Sequence, residues 1–107
     1  MVLCRLISKP AQGIFCLDLG HKAVAAEMDF PRIYLPQLPE NKQISQSEEH
    51  LVIESEIADT LPVGMVFYAI PMHICPTVIK YPKALTVEKG VVTGSWKIAA
   101  RDYHLQD

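Results

Sequence analysis

The chain has 107 residues, of which 50% are hydrophobic, ten are basic and twelve are acidic, for a net charge of −2. That length suits one domain with its own core, spanning residues 1–107, but not a (β/α)₈ barrel, which takes roughly 250 residues. The basic residues are scattered rather than interleaved with aromatics, and no apolar run reaches ~18 residues, so neither nucleic acid nor a membrane is expected as a partner.

The apolar share is high for a small domain. It fits either a well-filled core or an apolar face kept for another domain or a second copy. Three cysteines, Cys4, Cys16 and Cys75, are odd in number and widely spaced, which does not describe a disulfide framework. Cys4 and Cys16 lie in apolar runs and are expected in the core. The start Met-Val-Leu-Cys-Arg-Leu lacks the shape of a signal peptide, so a cytoplasmic location is expected.

In chain order, residues 2–8 (VLCRLIS) and 14–19 (IFCLDL) are rich in β-formers and flank a turn bracketed by Pro10 and Gly13, a plausible hairpin. Residues 21–28 (HKAVAAEM) suit one or two helical turns. Pro31, Pro36 and Pro39 then argue for a long ordered loop or extended arm over residues 30–47. Residues 50–55 (HLVIES) and 65–70 (MVFYAI) are expected strands with a turn at 61–64 between them. Pro76 suits the first position of a helical turn at 77–80. Residues 84–88 and 91–99 flank Lys89 and Gly90 and form the clearest hairpin. The fold expected is mainly β: a small barrel or sandwich of about six strands with one or two short helical turns.

The sharpest motif is Pro71-Met72-His73-Ile74-Cys75-Pro76. In an extended segment, side chains two apart share a face, so His73 and Cys75 would present an imidazole and a thiol together. Both suit zinc, but a zinc site takes three or four ligands. From spacing alone, the plainer reading is a buried cysteine beside a half-exposed histidine at a strand end. A Cys–His nucleophilic dyad ranks below both.

Ser47-Glu48-Glu49-His50 is the second motif. His50 could complete a metal site or orient a substrate, and Glu49 could fix an imidazole tautomer from behind. The bland alternative is a charged loop end. Asp18-Leu19-Gly20-His21-Lys22-Ala23 is the third, and there Lys22 is expected to be a solvated lysine rather than a Schiff-base former.

Together, D-L-G-H-K-A-V at 18–24, S-E-E-H at 47–50 and H-I-C-P-T-V at 73–78, with the closing strand carrying Trp96 and Ala99-Ala100-Arg101, resemble the C-terminal domain of the D-threonine aldolase / D-serine dehydratase family. The resemblance covers nearly the whole chain, and H-x-C-P-T is its most specific part. It implies an N-terminal alanine-racemase-like barrel binding pyridoxal phosphate, and a β domain that covers the active site. By match, His73 and Cys75 would be the metal ligands, for zinc or another divalent metal. Cysteine at the second position is dehydratase-like; aspartate there is aldolase-like. With this resemblance the metal reading leads.

The chain holds no barrel, so pyridoxal phosphate would reach it only through a barrel domain or chain. The expected function is the metal-binding domain of a pyridoxal-phosphate-dependent D-amino-acid lyase, inactive without that barrel. Its expected partners are the barrel and, through the face left open, a second copy in a homodimer. The alternative is a free-standing β interaction module without a catalytic role.

Overall fold

In the computed structural model, which describes residues 1–102, the alternation of side chains along the strands builds the core. Six strands form one curled antiparallel sheet, a half-barrel: β1 (Val2–Ala11), β2 (Ile14–Leu17), β3 (Ile33–Tyr34), β4 (Lys42–Gln46), β5 (Leu51–Glu54) and β6 (Val66–Pro71). Their order across the sheet is β3-β6-β1-β2-β5-β4. Cys4 and Leu6 of β1, Phe15 and Leu17 of β2, Leu51 and Ile53 of β5, and Phe67 and Ala69 of β6 all point inward and are buried. At the centre, Phe15 and Phe67 stack with ring centroids 6.1 Å apart. Burial, and secondarily the charge of Asp18, pushes the Cys4 thiol up to about 12, so Cys4 is an inert core residue.

Cys16 departs from its expected place. It alternates with Phe15 and Leu17, both inward, so it falls on the opposite face and is half-buried. A continuous apolar run conceals which residues face in.

The larger correction lies in residues 30–47, which are not a continuous loop. β3 and β4 both fall there, as the two edge strands of the sheet. Pro31 precedes β3, and Pro36 and Pro39 sit between the strands, so the prolines interrupt pairing without abolishing it. The two edges have no backbone ladder between them. The buried Gln43 amide joins them instead: its Oε1 accepts from the Arg32 N–H at 2.8 Å, and its Nε2 donates to the Ile33 carbonyl at 2.8 Å. A side-chain amide carries the same donor and acceptor as a peptide group, so one glutamine closes the gap between two strand edges.

Residues 21–28 make one turn, in which Ala23 and Val24 N–H both donate to the Gly20 carbonyl (3.0 and 3.1 Å). The expected turn near 77–80 is the single-turn α1 (Cys75–Val78), with Pro76 at its start. The expected final hairpin is present as β7 (Lys83–Glu88) and β8 (Val91–Lys97), a separate two-stranded sheet. Lys89 (φ 49°) and Gly90 (φ 80°) both take left-handed backbone, as a two-residue hairpin turn demands. This ribbon buries little. Leu85, Val87, Val91, Val92 and Trp96 are all exposed, Trp96 by 71%. A lone two-stranded ribbon is at best marginally stable in water.

Candidate metal centre

β6 ends at Pro71, paired with Ile33 of β3, and the Met72 N–H donates to the Arg32 carbonyl at 2.9 Å. The chain then turns into α1 rather than staying extended. Ile74 already has helical backbone (φ −73°, ψ −37°). The expected reason for His73 and Cys75 to share a face therefore does not hold. Both instead line one shallow concavity of about 670 Å³ at this strand-to-helix corner. Glu27, His73 and Cys75 stand on its rim, and Pro76, Val78 and Ile79 supply apolar lining.

Glu27 was not anticipated. Ala25-Ala26-Glu27 has no periodicity or spacing that singles it out, and the contact spans 46 residues. Its carboxylate meets His73 Nδ1. Both side chains are roughly half exposed (44% for His73, 48% for Glu27). The His73 imidazole holds the Glu27 carboxyl below its ordinary value, chiefly through this hydrogen bond.

Thr77 fastens this corner to the 23–25 segment. It is buried, its hydroxyl donates to the His73 carbonyl at 2.8 Å, and it accepts the Ala25 N–H at 3.0 Å. The Tyr81 hydroxyl donates to the Ala23 carbonyl at 2.9 Å. Two side chains from α1 and its exit thus clamp residues 23–25, immediately before Glu27.

His50 and Glu49 lie in a different cluster. The turn at 47–50 is closed by the Ser47 N–H donating to the His50 carbonyl at 2.9 Å. It packs against the 18–22 segment, where His21 and Lys22 N–H donate to the Ser47 and Glu48 carbonyls (2.8 and 3.1 Å). Lys22 Nζ contacts Glu49 at 2.7 Å and Glu48 at 3.3 Å. These contacts, that to Glu49 first, raise the Lys22 amine and keep it protonated. Two of the three sequence motifs therefore meet each other, while H-x-C-P-T stands apart with Glu27. Among the described residues, no three His, Cys, Asp or Glu side chains form a group able to hold a metal.

The profile of the family described as "Putative serine dehydratase domain" matches residues 1–87. A D-threonine aldolase from Arthrobacter sp. is 33% identical over 103 residues, covering 95% of this chain and 27% of that enzyme. The crystal structure of D-threonine aldolase from Filomicrobium marinum superposes with a TM-score of 0.79 at 25% identity, covering 94% of this chain and 27% of that one. D-threo-3-hydroxyaspartate dehydratase, in a histidine-to-alanine variant, gives a TM-score of 0.75 at 21% identity over 91% of this chain and 30% of its own. A cysteine-to-alanine variant of the same dehydratase, altered two positions further along, is known in a metal-free form and gives a TM-score of 0.73 at 20% identity. The chain thus spans under a third of the length of each of these enzymes.

Proposed function

Since the chain belongs to the serine dehydratase domain family, we propose that it is the metal-bearing β domain of a pyridoxal-phosphate-dependent lyase acting on β-hydroxy D-amino acids. His73 and Cys75 are its protein ligands. The observation that carries this reading is the shared rim. His73 offers Nε2 because Nδ1 is engaged by Glu27, Cys75 offers an exposed thiol, and nitrogen and sulfur donors together suit zinc. Variants of the dehydratase are known at a histidine and at a cysteine two positions further along, the spacing of His73 and Cys75, which supports it.

A divalent metal held there supplies Lewis acidity at the substrate's β-hydroxyl, and pyridoxal phosphate supplies the electron sink. The chain's own part is to bind and orient. His73 and Cys75 hold the metal, Glu27 keeps a proton on His73 Nδ1, and Val78 and Ile79 limit water at the rim. Two protein donors leave coordination positions for water and substrate. By resemblance, the cysteine at the second position leans toward the dehydratase side of the family.

The lysines do not fit a cofactor site. Lys22 is tied to two carboxylates, and Lys9 Nζ donates to the Asp59 and Leu61 carbonyls. In this reading pyridoxal phosphate is held by a barrel, in the same polypeptide or another. The outer faces of β1, β3 and β6 offer that barrel a surface: Leu3 lies opposite Tyr68 and Tyr34 opposite Ile70, and all four side chains are exposed.

The test supplies this chain in trans to the Arthrobacter aldolase lacking its 103 matched residues. The enzyme's own excised segment serves as positive control. The expected result is restored cleavage or dehydration of D-threonine with the native chain and none with Cys75→Ala. If the control restores activity and this chain does not, the lyase reading fails.

The exposed hairpin favours a second reading, a free-standing interaction module. At roughly 25 cal/mol per Å², covering about 400 Å² of apolar surface contributes about 10 kcal/mol before association costs. The covering-domain reading therefore expects the isolated chain to form a symmetric homodimer. Sedimentation across a concentration series should show a monomer–dimer equilibrium. A strictly monomeric chain at high concentration favours the module instead.

A further inference from the structure

We infer that Glu27 is the positioning residue of the metal centre: by accepting the His73 Nδ1–H it fixes the imidazole's tautomer and presents Nε2 to the metal. The inference rests on the reading of His73 as a ligand given above. An imidazole free in water exchanges its proton between two nitrogens and rotates about its side-chain bonds. An ionised carboxylate can only accept a hydrogen bond, so its partner nitrogen must carry the hydrogen, and in the neutral ring the other nitrogen is left bare.

Placement matters as much as contact. Glu27 lies on a segment with no strand or helix to fix it, and an exposed carboxylate on such a segment would ordinarily wander. Here the Thr77 hydroxyl joins the Ala25 N–H to the carbonyl of His73 itself, and Tyr81 holds Ala23 two residues earlier. The residue to be oriented and the segment that orients it are thus fastened to the same hydroxyl. This also gives the threonine of H-x-C-P-T a role: it is the joint between ligand and support. Carboxylates behind metal-bound histidines raise ligand basicity as well as fixing orientation, and losing one costs about 10- to 100-fold in metal affinity.

The experiment is ¹⁵N NMR of the His73 ring in the zinc-free and zinc-titrated chain, with Glu27→Gln and Cys75→Ala beside the native sequence. Glutamine keeps the shape of glutamate and removes its charge, and the site is half exposed, so the core is undisturbed. In the zinc-free native chain His73 is expected as the Nδ1–H tautomer, and zinc should move the Nε2 resonance while Nδ1 keeps its proton. Glu27→Gln should lose the tautomer preference and bind zinc about 10- to 100-fold more weakly. An unchanged tautomer and affinity in Glu27→Gln overturns the inference, as does zinc coordination at Nδ1, which would make Glu27 a bystander displaced from the ring. Zinc that binds native and Cys75→Ala chains alike overturns the ligand assignment, and the positioning role falls with it. That outcome differs from an unaltered Glu27→Gln, which leaves the ligands in place.

Discussion

Gly20→Ala is expected to destabilise the chain by about 3–5 kcal/mol, a large part of the 5–15 kcal/mol that a domain typically has. A Cβ at this position would lie 2.1 Å from the Glu48 carbonyl oxygen, 2.2 Å from its carbon and 2.3 Å from the Glu49 nitrogen. All three atoms are backbone, so no rotamer change relieves the overlap. One of the two segments must move. Moving either strains the His21–Ser47 and Lys22–Glu48 backbone hydrogen bonds, each worth about 1 kcal/mol, in addition to the about 1–3 kcal/mol typical of overpacking. It also drags Leu19 and Val24, both buried, out of register with the core. Urea denaturation of the two proteins reads the difference directly. A midpoint shift equivalent to less than about 1 kcal/mol would show that the two segments are not in contact. The D-L-G-H-K and S-E-E-H motifs are thus explained as one structural joint, with glycine required by close approach rather than by any unusual backbone angle.

Cys75→Ala is expected to abolish zinc binding while changing stability by no more than about 0.5 kcal/mol, the range for surface substitutions away from special features. The thiol is exposed, so removing it opens no cavity. The metal, by contrast, loses one of only two protein donors, and a single imidazole is too few ligands for a zinc site. Affinity for zinc in the native chain should also fall on acidification, because the metal competes with protons for a thiolate and a bare imidazole nitrogen. Isothermal titration with zinc at two pH values, paired with thermal melts of both proteins, checks both halves. Undiminished zinc binding by the alanine variant would remove Cys75 from the site, and a large loss of stability would make it a structural residue.

Local chemistry was legible wherever a few neighbouring residues decide the outcome. Lys89 and Gly90 mark a two-residue turn, and the strands they join follow from that turn. The β-formers of VLCRLIS and HLVIES and the apolar run MVFYAI, bounded by turn signals, placed three core strands, though not which of their residues face inward. Pro76 marked the start of α1, and His73 and Cys75 were singled out by residue type and spacing. What escaped the sequence depends on contacts between distant segments. β3 and β4 exist as edges because a curled sheet offers them partners in β6 and β5 and because Gln43 spans what remains, and proline spacing carries no trace of that. His73 and Cys75 share a rim through a helical corner, not through an extended segment. Ser47, Glu48 and Glu49 are drawn to Gly20, His21 and Lys22, and Glu27 to His73, across separations of roughly 25–50 residues. A short motif specifies which donors a site can have; only the folded chain, by clamping residues 23–25 with Thr77 and Tyr81, decides which carboxylate stands behind them.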